Sequence, residues 1–247
     1  MADSEESGHR LDGEVVMITG ASRGLGRVLA RAFAAAGAAV SGCARNEHGL
    51  EQVRGELQRD HLSMHTAAVD VTVEEDVARW VEDVRGSLGP PTTLINNASI
   101  LGPRVPLEHH DLGEWRRTLE VNLTGSFLVA RAVIPLMKAS GRGSIIQLSS
   151  GAALPPRTSW GAYAVSKIAA DGMALNLAEE LGGSGIRVNM VDPGAMRTGM
   201  RAEAYPEEEP VSVELPGSRV DVFLWLAGSQ SLRVSGQRFR AADWSRP

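Results

Sequence analysis

Two tyrosines occur in the 247 residues, and one of them, Tyr163, stands four positions before Lys167 in the stretch "YAVSK". Four residues are about one helical turn, so the phenol and the ammonium share a helix face. A phenol with an ordinary pKa of about 10 exchanges protons poorly at neutral pH. An adjacent cation favours phenolate and makes the proton available. The pair therefore suits proton transfer to or from a substrate oxygen. Read alone, it also suits a solvated surface helix, and the surrounding elements have to decide.

A second chemical signal lies near the start. "TGASRGLG" (Thr19–Gly26) follows a short apolar run and precedes a helical pattern. Gly20, Gly24 and Gly26 permit a tight turn, with Ser22, Arg23 and Leu25 between them. Backbone N–H groups at the start of the helix can then approach a pyrophosphate.

The elements that carry these residues alternate along the whole chain. Strand patterns at 14–20, 38–45, 65–71, 92–99, 143–150 and 186–194 are each followed by a helical pattern, and 234–242 reads as a final edge strand. A long helical stretch is expected over 112–138, and another runs through Tyr163 to Leu181. Such alternation predicts an α/β fold: a doubly wound, mostly parallel sheet of about seven strands with helices on both faces. Ligands of such sheets bind at the carboxyl ends of the strands.

Composition narrows the function classes. Charged residues are 22%, apolar residues 43% and the formal net charge is -5, which suits a globule with a real core. No run is dominated by lysine and arginine and aromatics are few, so nucleic acid is not an expected partner. The longest apolar runs fall short of a membrane span, and no membrane partner is expected. Cys43 is the only cysteine, which excludes an internal disulfide and fits a cytoplasmic location. Residues 1–10 are polar and acidic, unlike a signal peptide, and are expected to form a disordered tail before one domain over 11–247. The six histidines are scattered with no metal-site spacing and are expected at the surface; no metal is expected.

The glycine spacing G-x-x-x-G-x-G, "LINNAS" and "YAVSK", in that order, resemble the short-chain dehydrogenase/reductase family in its single-domain Rossmann-fold form, over 11 to about 241. The resemblance implies hydride transfer between a nicotinamide cofactor and a carbonyl or secondary alcohol, with Tyr163 as acid or base. It assigns Ser150, thirteen residues before Tyr163, to the substrate oxygen, in preference to the adjacent Ser149. It assigns Asn122 to a water that relays protons from Lys167, and Lys167 to the nicotinamide ribose as well. Asp70 and Val71 would hold the adenine and Asn97 would line the adenosine side, while Asn96 braces the sheet. Pro193, Gly194 and Thr198 would face the nicotinamide carboxamide and the pyrophosphate. The family's N-N-A-G becomes Asn96-Asn97-Ala98-Ser99, which adds a Cβ and a hydroxyl near the cofactor.

Relatives that prefer NAD carry an acidic residue at the end of the second strand. Here that place holds Ala44, followed by Arg45, and Arg23 sits in the glycine turn. Two guanidinium groups suit a 2′-phosphate, so NADP(H) is the expected cofactor. The residues from 199 to 217 are expected to form a short substrate lid that contains Tyr205 and the acidic run Glu207–Glu209. Trp160 either walls the substrate pocket or packs. The resemblance also implies a homodimer or homotetramer built on the helices that carry Asn122 and Tyr163. The family's terminal D-G-G is replaced by "SGQRFRAADWSRP", with Arg238 and Arg240 on either side of Phe239. A non-catalytic NADP(H)-binding protein and a sugar-nucleotide epimerase are the competing readings. The first would have lost Tyr163 or Lys167, and the second is usually longer with a different glycine spacing.

Overall fold

The computed structural model describes residues 10–155 and 157–246. The expected tail lies, apart from residue 10, outside the described residues. Seven parallel strands form one sheet in the order β3-β2-β1-β4-β5-β6-β7. They are β1 (Val15–Thr19), β2 (Ala39–Ala44), β3 (His65–Ala68), β4 (Thr93–Asn96), β5 (Gly143–Leu148), β6 (Ile186–Asp192) and β7 (Arg238–Arg240). The strand order reverses at β1, between β2 and β4, which opens a crevice at the carboxyl edge of the sheet.

Side-chain alternation in the central strands feeds two cores. Val16 and Ile18 of β1 join the helices α1 (Gly24–Ala35), α2 (Glu47–Arg59) and α8 (Asp221–Ala227) on one face. Val15 and Met17 join α3 (Glu74–Ser87), α5 (Gly125–Ser140) and α6 (Gly161–Glu180) on the other. Burial on both faces explains why β1, β4, β5 and β6 are buried along their whole length. The stripe Val77, Trp80, Val81 and Val84 of α3 is buried, and Trp80 Nε1 donates to Ser41 Oγ at 2.9 Å. His65 Nδ1 lies 2.9 Å from the same hydroxyl, so this histidine is tied into the structure, contrary to the surface expectation.

The long helical stretch is interrupted. α4 (Leu112–Leu119) passes into a π-helical turn over Glu120–Thr124 before α5. The whole segment, Leu112–Ser140, is 29 residues with a most apolar window of mean hydropathy 1.3. By length and composition alone it could cross a membrane. Its inner face packs on the sheet through Val129, Val133 and Met137. A short helix α7 (Gly199–Ala204) and a loop with one-turn helices fill the region expected to be the lid.

Candidate active site

The carboxyl ends of β1, β4, β5 and β6 open on one cleft of about 760 Å³. It is lined by Gly20, Ser22, Arg23, Gly24 and Leu25 at one end and by Ser150, Tyr163 and Lys167 at the other. Arg45, Asp70, Val71, Asn97, Pro193, Gly194 and Thr198 also line it. Of the residues singled out from sequence, Gly26 and Asn122 stand behind the lining.

Gly20 turns the chain out of β1 with φ +70°, in the left-handed region that glycine tolerates. Helix α1 follows, with no side-chain cap and no acidic residue in its first turn. Its first N–H groups are therefore open to an anion from the cleft. Gly26 serves packing rather than cofactor approach. A Cβ there would sit 2.6 Å from Asn97 Nδ2 and closer still to the Gly20 carbonyl oxygen. Asn97 spends its amide on this turn, donating to the Thr19 carbonyl at 2.8 Å and the Gly20 carbonyl at 3.2 Å. Its backbone N–H donates to Thr19 Oγ1 at 2.9 Å. Asn96 braces α5 through Nδ2 to the Ser126 carbonyl at 3.1 Å. The Ser99 hydroxyl is buried at the cleft wall with no hydrogen-bond partner among the described residues.

Strand β2 ends at Ala44 with no carboxylate, and Arg45 and Arg23 both border the cleft. Arg45 also approaches Asp70, at 4.0 Å. Burial raises the Asp70 carboxyl, but hydrogen bonds from the Thr72 N–H at 3.0 Å and hydroxyl at 2.7 Å outweigh it, with Arg45 and Arg117 adding to the lowering. Asp70 is thus an anion that fixes the turn after β3. The turn glycines, the uncapped α1 start and the paired arginines together fit a dinucleotide.

Ser149 and Ser150 follow β5 and point to different sides. Ser149 is buried, and its hydroxyl donates to Asp171 Oδ2 of α6 at 2.6 Å. Ser150 lines the cleft near enough to the Tyr163 phenol to favour its ionised form, and its hydroxyl accepts from the Ala152 N–H at 3.1 Å. Tyr163 and Lys167 are both buried on α6, with the ammonium 5.8 Å from the phenol ring centre. Lys167 Nζ donates to the Leu148 carbonyl at 3.0 Å.

The ionisation of this pair departs from the sequence expectation. Burial lifts the phenol above its ordinary value, the Ser150 hydrogen bond lowers it and the Asp192 carboxylate raises it. Burial pulls Lys167 down to about 8, against the opposing pull of Asp171. The phenol is therefore held protonated, not driven towards phenolate. The reason is that loss of water is the largest influence on the phenol and Ser150 does not offset it.

Asn122 sits fully buried in the π-helical turn, where the extra residue per turn swings its amide towards the loop after β4. Its Oδ1 accepts from the Ile100 N–H at 2.8 Å, and its Nδ2 donates to the Ile100 carbonyl and to Ser166 Oγ, both at 2.9 Å. Ser166 in turn donates to the Tyr163 carbonyl at 2.7 Å. Asn122 thus locks α6 to the cleft wall.

Trp160 both packs and walls the cleft. It is buried 5.6 Å from the Tyr163 ring, among Leu101, Ala152 and Ala204. The Arg104 guanidinium lies over Trp160 at 4.8 Å and over Tyr205 at 4.9 Å, and Nη1 donates to the Ala204 carbonyl. Glu208, from the acidic run, is held by Arg201 Nε at 2.6 Å. His110 meets Trp115 edge-on and accepts from the Ala162 N–H at 3.4 Å, so it too is not a free surface residue. Arg238, Asp171 and Asp192 were not singled out for the site from sequence; strand alternation around Phe239 was the only signal for the first.

Residues 14–209 match the profile of the short chain dehydrogenase family. The chain is 32% identical over 240 residues to the uncharacterized oxidoreductase YciK of Escherichia coli K12, covering 96% of this chain and 95% of that protein. A structure described as a short chain dehydrogenase from Pseudomonas syringae superposes with a TM-score of 0.91 at 37% identity, covering 98% of this chain and 99% of that one. One from Escherichia coli CFT073, complexed with NADPH, superposes with a TM-score of 0.90 at 33% identity, covering 94% and 98%. The chain belongs to the short chain dehydrogenase family, whose members are oxidoreductases with a nicotinamide cofactor.

Proposed function

We propose that the protein is an NADP(H)-dependent oxidoreductase that interconverts a carbonyl and a secondary alcohol, with Tyr163 as general acid and base. The observation that carries the reading is the joining of Ser150, Tyr163 and Lys167 to the α1 glycine turn in one cleft. The nicotinamide, when bound, supplies or accepts the hydride. Ser150 holds the substrate oxygen beside the phenol. Tyr163 delivers a proton to that oxygen as charge develops on it. A phenol kept protonated by burial is in the right state for reduction at neutral pH. Lys167, charged below about 8, supports the anion left on Tyr163 and holds the cofactor ribose. Asn122 keeps the ammonium side of α6 in register and links it to solvent through water.

NADP(H) preference rests on Arg23 and Arg45 bordering the cleft and on Ala44 in place of a carboxylate. Asp70 and Val71 hold the adenine, and Pro193, Gly194 and Thr198 shape the nicotinamide end. A cytoplasmic homodimer or homotetramer completes the reading. Exposed Phe127 on α5 and Ile168 and Leu175 on α6 support a subunit contact along those helices.

NADPH depletion measured across ketones, quinones, ketosteroids and β-ketoacyl thioesters tests the activity. Tyr163→Phe abolishes turnover of the best substrate while NADPH still binds. Retained turnover would sink Tyr163 as the acid, and equal use of NADH would sink the cofactor preference. An intact protein that binds NADPH and reduces nothing in the panel would favour the non-catalytic alternative.

A further inference from the structure

The last strand brings an arginine to the back of this site. Strand alternation sends Phe239 against Trp225, at 5.8 Å, and turns Arg238 the other way. Arg238 Nε donates to Ser149 Oγ at 3.1 Å and to Asp171 Oδ2 at 3.3 Å. Its Nη2 donates to the Ser150 carbonyl at 3.0 Å and reaches Asp192 Oδ2 at 3.5 Å. Asp171 lies one turn beyond Lys167 on α6. Asp192 ends β6, and its Oδ1 accepts from the Gly194 N–H at 3.0 Å. One guanidinium therefore touches the segment that carries Ser150, the helix that carries Tyr163 and Lys167, and the strand that leads to Pro193 and Gly194.

We propose that Arg238 is a positioning residue for Tyr163: it fixes the ends of β5, β6 and α6 to one another and balances the Asp171 and Asp192 carboxylates. The proposal rests on the function argued above. The side chains of Asp171 and Asp192 are only 15% and 4% exposed, so leaving both without a cation is costly. Lys167 attracts Asp171 through space but gives its hydrogen bond to Leu148 and makes no ion pair with either carboxylate. The charged groups around Tyr163 are Lys167 and Asp171 from α6, Asp192 from β6, Arg238 from β7, and Arg157 and Arg201 from the cleft wall. Of these, Arg238 alone bridges both carboxylates. Without it, Asp192 opposes ionisation of the phenol more strongly, and the β5 end is held to α6 only by the Ser149–Asp171 and Lys167–Leu148 hydrogen bonds.

Tyr163 and Tyr205 are the only tyrosines, so in a Tyr205→Phe background the near-ultraviolet phenolate absorbance reports Tyr163 alone. The signal is read by stopped flow after a pH jump, ahead of alkaline unfolding. Arg238→Met and Arg238→Gln are expected to move the midpoint upward by about one pH unit. Arg238→Lys, which keeps the charge but not the fork, is expected to return most of that movement. Both neutral variants are expected to lower NADPH-dependent kcat about tenfold with the NADPH Kd changed less than about twofold. A folded neutral variant with an unmoved midpoint overturns the proposal. So does failure of both to fold, which would make the role purely structural. The titration needs neither substrate nor cofactor, so it stands even if Tyr163→Phe retains turnover and the functional reading falls.

Discussion

Lys167 donates its hydrogen bond to the Leu148 carbonyl, at 3.0 Å, and so holds a buried ammonium at the end of β5 rather than against the phenol. One neutral acceptor does not replace water around a cation. Burial lowers Lys167 from 10.5 to about 8, so between those values the unfolded chain binds the extra proton. Stability therefore rises with pH across that window, and the full cost of the charge is present below it. Lys167→Met fills the same space without charge. It is expected to be more stable at pH 7, by on the order of 2 kcal/mol, with the gain shrinking as pH rises through the window. Urea unfolding at both ends of the window measures this. A less stable methionine variant at neutral pH would contradict it.

The same ionisation sets a pH dependence of activity. Tyr163 is raised by burial and by Asp192, so it remains a proton donor through neutral and mildly alkaline pH. Lys167 loses its charge first, near 8. NADPH-dependent reduction is expected to be flat at neutral pH and to fall as pH rises through about 8, by up to tenfold per unit. A profile of kcat/KM for the best carbonyl of the panel checks it. A rate that keeps rising above 8 would mean that neutral Lys167 is the working form.

Much of this arrangement is legible in the sequence, because buried parallel strands and amphipathic helices announce themselves locally. The apolar run and the helical pattern on either side place the glycine turn between β1 and α1. Spacing favours Ser150 over Ser149; in the structure Ser149 bonds Asp171, while Ser150 lines the cleft together with Tyr163. The raised phenol was not legible, since burial is a tertiary property that no spacing reveals. Nor was the π-helical turn at Asn122, where the sequence reads as uninterrupted helix. Arg238 could be placed on a strand face, but its partners come from β5, α6 and β6, up to 89 residues away in the chain.

Asn122 offers a separate test of that turn. Three hydrogen bonds, two to Ile100 and one to Ser166, depend on its amide. Asn122→Ala leaves the Ile100 N–H and carbonyl without partners in a half-buried site. Each such loss costs about 1 to 3 kcal/mol when water cannot replace it. The variant is expected to lose about 2 to 4 kcal/mol in urea unfolding, and its kcat is expected to fall more than its NADPH affinity. Wild-type stability in Asn122→Ala would show that water takes over these bonds and that the turn does not need the side chain.

Gly26 separates packing from propensity. Alanine is the better helix residue by about 1 kcal/mol, so an isolated α1 would gain from Gly26→Ala. In the protein the new methyl would overlap the Gly20 carbonyl oxygen and approach Asn97 Nδ2 to 2.6 Å. The carbonyl belongs to the anion-facing turn and Asn97 braces that turn, and the nearer one is backbone, which cannot rotate away. Overlap of this kind costs about 1 to 3 kcal/mol, more than the helix gains. The net expectation is a loss of about 1 to 2 kcal/mol together with at least tenfold weaker NADPH binding, because relief of the overlap moves the turn between β1 and α1. Urea unfolding and NADPH fluorescence titration read the two effects separately. A variant that binds NADPH as tightly as wild type would place Gly26 outside the determinants of the turn.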